Sequence, residues 1–278
     1  MPQAAARGEC LSMPSRILGH PVVYCVLLPP GYEVNRSRRY PVLYQLHGLG
    51  DNAQMLLRSG GFSLLQDVWE RRQAGEFIVV TPEGGASFYI NSQDGRRRYE
   101  DFFLREFLPF IESRYRVRRG RNFRGVGGFS MGGYGALHLA FSHPKLFGSV
   151  SAHSAALIDA AKVPAMSVGQ GPAPANVQLL GDVFGSPFDR AFWERNSPLT
   201  LARRNDLAGL KIYFDCGAQD DYGFNVGAQE LDQVLTSRRV AHEFHLYPGG
   251  HTGAYFLEHW TASLQFHSRA FGLGLSPQ

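Results

Sequence analysis

The sequence predicts an α/β fold, with a mainly parallel central sheet and helices on both faces. Three observations carry that prediction. Strand-length apolar runs alternate with helix-length stretches along most of the 278 residues, the order that parallel strands joined by crossover helices require. Phe77 to Thr81 (FIVVT) is continuously apolar, as a strand buried on both faces must be. Asn122 to Phe129 then runs directly into a serine flanked by glycines and a helical pattern from Met131 to Phe141.

In order, Val22 to Leu28 (VVYCVLL) is an early strand, stopped by Pro29-Pro30-Gly31. Tyr40 to Leu46 is a second strand, feeding His47-Gly48-Leu49-Gly50-Asp51. Phe62 to Arg72 has helical spacing, and Phe77 to Thr81 is followed by a loop containing Phe88-Tyr89-Ile90-Asn91-Ser92. Tyr99 to Tyr115 reads as one helix with Phe102, Phe103, Phe107, Phe110 and Ile111 inward. Leu146 to Ala152 is another strand. From 155 to 204 the rhythm fades, with 165–175 (AMSVGQGPAPA) the least regular part. The alternation then resumes: strand Leu210 to Cys216, helix Asn225 to Arg238, strand His242 to Tyr247 and helix Ala254 to Phe271. One domain over 1–278 is expected. The 155–204 insertion is either a cap over the site or a plain surface excursion.

Composition narrows the function classes. Hydrophobic content of 44% with 19% charged residues describes a globular chain, and no apolar run approaches the ~20 residues of a membrane span. Met1 to Glu9 is short and polar, unlike a signal peptide, although a removed leader would leave no trace. The net charge of +4 is mild. Arg96-Arg97-Arg98 and the cluster Arg114, Arg116, Arg118, Arg119, Arg121 and Arg124 fall in loops beside helix ends, so a solvated surface is expected rather than a nucleic-acid face. Cys10, Cys25 and Cys216 lack metal-ligand spacing, and neither metal nor cofactor is expected. Cys216 reads as an inert core thiol. Cys10 and Cys25 flank a hairpin-like start and suggest a disulfide. Such a bond would suit an exported form; a cytoplasmic chain would keep both thiols reduced.

The chemistry centres on Gly128-Phe129-Ser130-Met131-Gly132. Strand, Gly-x-Ser-x-Gly and helix form the nucleophile elbow of α/β-hydrolases. The outer glycines let strand and helix approach closely around a strained serine. In a chain with 32 glycines the pattern is weak alone, and Gly61-Phe62-Ser63 shows its first half arising without the rest. Dinucleotide binding at Gly125-x-Gly127 is the rival, but its third glycine would fall on Ser130. The order Ser, acid, His decides for the elbow. Asp220 or Asp221 follows the strand ending at Cys216, and His251 lies in the glycine-rich loop after the last strand. Asp215, inside its strand, is expected to pack or pair locally, and spacing leaves Asp220 and Asp221 open. The amide of Leu49, after a strand-fed glycine loop, is a candidate oxyanion donor. His47 is expected to brace that loop or to border the substrate pocket, and Tyr89 to line the pocket or pack beneath its loop.

The segments YPVLYQLHGLGDN, RYEDFF, GFSMGGYGAL, DCGAQDD and YPGGHTGAYF, spread over residues 20 to 260, resemble the putative-esterase family of α/β-hydrolases. That family includes feruloyl esterases, S-formylglutathione hydrolases, enterochelin-type esterases and mycolyltransferases. The resemblance implies an α/β-hydrolase fold, Asp220 as the triad acid, and the amides of Met131 and Leu49 as the oxyanion hole. His47 stands where S-formylglutathione hydrolases usually carry serine, so the feruloyl-esterase-like branch matches better. The implied activity is hydrolysis of small-molecule or polysaccharide-linked carboxylic esters through an acyl-enzyme. An acyltransferase of the same fold and a non-catalytic binding module are the alternatives.

Overall fold

The computed structural model describes residues 5–158 and 175–274. Its strands are β1 (Arg7–Met13), β2 (Val22–Leu28), β3 (Val42–Leu46), β4 (Ile78–Pro82), β5 (Arg124–Phe129), β6 (Ser149–His153), β7 (Lys211–Gly217) and β8 (Glu243–Tyr247). They form one sheet in the order β1-β2-β4-β3-β5-β6-β7-β8. β2 is antiparallel to both its neighbours, and every pair from β4 to β8 is parallel. This is the expected α/β-hydrolase sheet, with the strand expectations met to within a few residues.

Period-two alternation explains why both faces are covered. Val42, Tyr44, Leu46, Ile78 and Val80 point into the larger core, whereas Leu43 and Val79 point into the smaller one. Each fully buried aliphatic side chain stabilises the fold by about 1.5–3 kcal/mol, so neither face can be left to water. α1 (Gly61–Glu70) covers the smaller face together with the last helix, α8 (Gly253–Ala270). The larger face carries the RYEDFF helix, α3 (Met131–Ser142), α4 (Ala175–Phe184), α5 (Arg190–Asn196), α6 (Pro198–Arg204) and α7 (Phe224–Ser237). α3 is buried almost all round, as a helix between sheet and insertion must be.

Several expectations change on inspection. The RYEDFF helix, α2, is not one continuous α-helix. It runs as α-helix over Tyr99–Phe102, as a π-turn over Phe103–Phe107 and again as α-helix over Leu108–Arg114. Pro109 has no N–H to give the carbonyl four residues earlier, and the π-turn absorbs the mismatch. β1 forms a full antiparallel partner for β2, and Cys10 sits opposite Cys25 in register and is disulfide-bonded to it. The second arginine cluster is not simply solvated. Arg121 donates to the carbonyls of Phe147 and Ala208, and Arg124 to that of Leu146 and to Glu112 at 2.7 Å. Arg116 and Arg118 lie over the rings of Tyr32 and Phe123. These arginines tie loops together at the sheet's lower edge. Of the 155–204 insertion, residues 159–174 lie outside the described residues. Its remainder buries Val183, Phe184 and Trp193. No helix among the described residues is long and apolar enough to cross a membrane.

Gly125 and Gly127, the pair that invited a nucleotide reading, have a packing reason. A Cβ on Gly125 would lie 2.8 Å from His267 Nδ1, and one on Gly127 would lie 2.6 Å from Ser151 Oγ. The bare strand lets α8 press a polar layer against the sheet. In it, His267 bridges Ser149 Oγ at 2.8 Å and Ser151 Oγ at 2.9 Å.

Burial, with nearby His153 adding to it, depresses the His267 pKa to about 3. The unfolded chain binds that proton near pH 6.5, so the unfolded state holds more protons between 6.5 and 3. Stability is therefore present above pH 6.5 and is lost as pH falls through that window. Urea unfolding between pH 7.5 and 5 should show this decline, and His267→Gln should be less stable at pH 7.5 yet visibly flatter in slope. An unchanged slope in the variant would assign the decline to other groups.

Candidate active site

Ser130 sits at the turn from β5 into α3 with φ 57° and ψ −117°, a conformation costly for any residue with a side chain. Three backbone hydrogen bonds hold it there. Its N–H donates to His153 O at 3.0 Å, and its carbonyl accepts from Tyr134 at 3.0 Å and Ala156 at 3.1 Å. Close approach makes the flanking glycines obligatory. A Cβ on Gly128 would stand 2.1 Å from Gly132 O, and one on Gly132 would stand 2.2 Å from Leu46 O. The serine hydroxyl is thus presented at the N-terminal, positive end of α3.

His251 reaches it from the loop after the edge strand β8. Its Nε2 lies 2.8 Å from Ser130 Oγ, and its Nδ1 lies 2.7 Å from Asp220 Oδ2. The two aspartates left open by spacing part company here. Asp220 Oδ1 accepts the amides of Tyr222 at 3.0 Å and Phe224 at 3.2 Å, and the Cys216 thiol approaches Oδ2 at 3.6 Å. Burial works to raise the Asp220 pKa, but the hydrogen bond and charge of His251 and the two amides outweigh it, and the carboxyl is held below its ordinary range. Asp221 instead accepts the backbone N–H of His251 at 2.9 Å. The Cys216 thiol is buried and pushed up to about 12, first by burial and then by Asp220, so it stays protonated and can donate.

The hydrogen-bonded run Ser130–His251–Asp220 opens onto a cavity of about 380 Å³ lined by Leu49, Phe88, Phe129, Ile158, Tyr222 and Phe224 among others. Met131 and Leu49 both border it, and among the described residues no acceptor takes the amide N–H of either. Tyr89 and His47, offered by the sequence as pocket residues, are not on this wall. Both are completely buried. Tyr89 donates its hydroxyl to His47 O at 3.0 Å and fills the space that bare Gly84 and Gly135 leave, where a Cβ would come within 2.5 Å of its ring. Its phenol needs a partner and finds it inside, while the neighbouring Phe88 turns to the cavity. His47 accepts the Gly84 N–H at Nε2 (2.8 Å), so Nδ1 carries the proton and donates to Gly48 O (2.8 Å). It is a brace between the loops after β3 and β4.

Asp215 pairs locally, as expected, accepting from Tyr213 at 2.9 Å and Tyr255 at 3.0 Å, with His153 Nδ1 2.8 Å away. Sequence reasoning passed over Phe129, Tyr222 and Phe224. Tyr222 follows Asp220-Asp221 directly in a loop after a parallel strand and Phe224 opens the helix after it, so the rule that singled out Tyr89 reaches both.

A family model described as "Putative esterase" matches residues 15–269. The chain belongs to the putative esterase family. Among the curated relatives, "Esterase Rv1288" of Mycobacterium tuberculosis (strain ATCC 25618 / H37Rv) is 32% identical over 243 residues, 81% of the chain and 51% of that protein. The chain spans about half the length of the first curated relatives it matches. "S-formylglutathione hydrolase" of Paracoccus denitrificans is 24% identical and aligns over 93% of the chain and 91% of its own length. Among solved structures, a "ferulic acid esterase" superposes with a TM-score of 0.80 at 28% identity, covering 96% of this chain and 99% of its own.

The tightness of the elbow is directly testable. Gly132→Ala drives a Cβ into the backbone of β3, which cannot move aside without tearing the sheet, so a loss of about 2 kcal/mol or more is expected. A thermal melt reads it as a clear drop in Tm or as insoluble protein; a melt matching the wild type would show the strand has room to give.

Proposed function

We propose that this protein is a serine carboxylesterase with Ser130 as nucleophile, His251 as general base and then acid, and Asp220 as the anion that orients the imidazole. The single observation that supports it most is the hydrogen-bonded run from Asp220 through His251 to Ser130, opening onto a cavity with two untaken amides. Ser130 Oγ attacks the ester carbonyl while His251 Nε2 takes its proton. Asp220 keeps Nδ1 protonated and stabilises the imidazolium. The amides of Met131 and Leu49 receive the oxyanion, each such donor being worth about 2.7–4 kcal/mol. His251 returns the proton to the leaving alcohol, and water releases the acid from the acyl-enzyme by the same steps in reverse.

The acyl group we propose is flat and aromatic, of the feruloyl or cinnamoyl type. Phe88, Phe129, Tyr222 and Phe224 give the cavity aromatic walls, which favour stacking and edge contacts with a planar ring. The similarity to a ferulic acid esterase supports the same class. Ala156, Ile158 and Leu180 of the 155–204 insertion also border the cavity, and we propose that this segment forms one wall of the acyl pocket.

A fluorophosphonate probe should add its mass to the wild type and not to Ser130→Ala; a wild type that refuses the label would remove the esterase reading. Asp220→Asn should lower kcat by about 10⁴-fold, as loss of the orienting anion does in related triads, and Asp221→Asn by much less. The reverse ranking would move the acid. Methyl ferulate should outpace methyl esters of short aliphatic acids in kcat/KM. Product analysis with a sugar alcohol present would expose transfer if the acyl group went to it rather than to water.

A further inference from the structure

The imidazole of His251 is enclosed by aromatic rings that play no part in proton transfer. Phe129 lies nearly parallel to it, with ring centroids 4.9 Å apart and 27° between planes. Tyr222 and Phe224 stand almost perpendicular at 4.9 and 5.2 Å. Only Phe129 stacks its face on the imidazole. The side chain of His251 is 8% exposed, so any charge it acquires is largely removed from water. A cation within about 6 Å of an aromatic face is attracted by the ring quadrupole, more strongly when desolvated.

Resting on the reading of His251 as general base, we propose that Phe129 is a positioning residue whose ring face stabilises the imidazolium formed as Ser130 attacks. The ring cannot drift from that place. Phe129 is paired with His153 at the end of β5, its ring packs at 5.6 Å on Phe256 of α8, and a Cβ on Gly48 would already come 3.3 Å from Cδ1. The middle residue of Gly128-Phe129-Ser130 is therefore selected by the histidine as well as by the cavity. Other groups facing the imidazole are accounted for. On the loop after β7, Asp220 meets Nδ1, Asp221 meets the backbone N–H, and Tyr222 closes one flank. Cys216 sits behind Asp220, and Tyr255 of α8 packs against Gly249 of the histidine loop. Asp220 supplies the dominant negative charge in the ring plane, and Phe129 supplies the attraction from the face.

The test is the pH dependence of kcat/KM for a small aryl acetate in wild type, Phe129→Leu and Phe129→Tyr. Leucine keeps apolar bulk and removes the π face. Its plateau should fall by roughly 3- to 30-fold, and its acid limb should move down by roughly 0.5–1.5 pH units, since the protonated form loses support. Tyrosine keeps the face and should restore the limb. Because kcat/KM reports the free enzyme, a mere change in substrate contact cannot shift that limb. A lowered plateau with the limb unmoved makes Phe129 a plain wall residue and overturns the proposal, as does a wild-type profile in the leucine variant. Should leucine fold poorly by thermal melt, Phe129→Met is read in the same way. Ser130→Ala run alongside separates the two levels: full activity there removes the triad reading itself, whatever Phe129 does.

Discussion

The close approach of β5, β3 and α3 around Ser130 is the constraint on which the rest depends. With Gly132 so close to β3 that a Cβ on it would stand 2.2 Å from Leu46 O, the helix starts immediately at the carboxyl end of β5. Its first amide, that of Met131, is then set beside the loop carrying Leu49. A looser turn would separate those amides and leave Ser130 without the backbone partners that hold its φ of 57°. The strain is offset by ordinary hydrogen bonds from β6 and its following loop, at Ser130 N–H to His153 O and Ala156 N–H to Ser130 O. Strand order thus becomes site geometry, since β5 lies between β3 and β6 and the elbow borrows from both neighbours.

Beneath the site, α8 does more than close the smaller face. Its residues reach polar groups on two strands: His267 to Ser149 of β6 beside the bare backbone of β5, Ser263 to His153 at the end of β6, and Tyr255 to Asp215 of β7. A buried polar layer is expensive unless every member finds a partner, and here it runs along α8 from Tyr255 through Ser263 to His267. Thr252 caps that helix by accepting the Tyr255 amide at 3.1 Å. The start of α8, and with it the loop before it, is fixed to the sheet that carries the serine.

How much was legible follows from where physical signals are local. The elbow, the strand order of Ser130, acid and His251, and the parallel sheet are written in short-range pattern, and these segments fold as read. The choice between Asp220 and Asp221 is not local. Both follow one strand, and the histidine loop, distant in sequence, separates their surroundings by bringing the imidazole of His251 to Asp220 and its main-chain N–H to Asp221. Pocket walls were harder. A loop with adjacent aromatics, Phe88 and Tyr89, does not say which one turns inward, and the answer came from a hydroxyl seeking a carbonyl. The π-turn in α2 was not read, although Pro109 inside the helical pattern is a local signal for it. The carbonyl-binding roles of Arg121 and Arg124 have no such signal, because carbonyls at strand ends belong to tertiary structure.

The histidine loop raises a different question, because a glycine-rich approach is mobile by nature, yet His251 holds hydrogen bonds to both Ser130 and Asp220. Gly249 has φ 134° and Gly250 follows it, so the backbone alone would leave His251 many conformations, each costing entropy to exclude. Order comes from the neighbouring loop instead. Gln219 accepts the Gly249 N–H at 2.8 Å through its side chain and gives its own N–H to Gly249 O at 3.0 Å. Asp221 takes the His251 N–H, and Gly217 has no Cβ because one would stand 2.3 Å from Gly249 O. The segment Gly217-Ala218-Gln219-Asp220-Asp221 therefore works as one unit. Its first residue admits the histidine loop, its third and fifth pin that loop's backbone, and its fourth meets the imidazole. Two adjacent carboxylates are needed because one must hold the main chain in place while the other holds the ring.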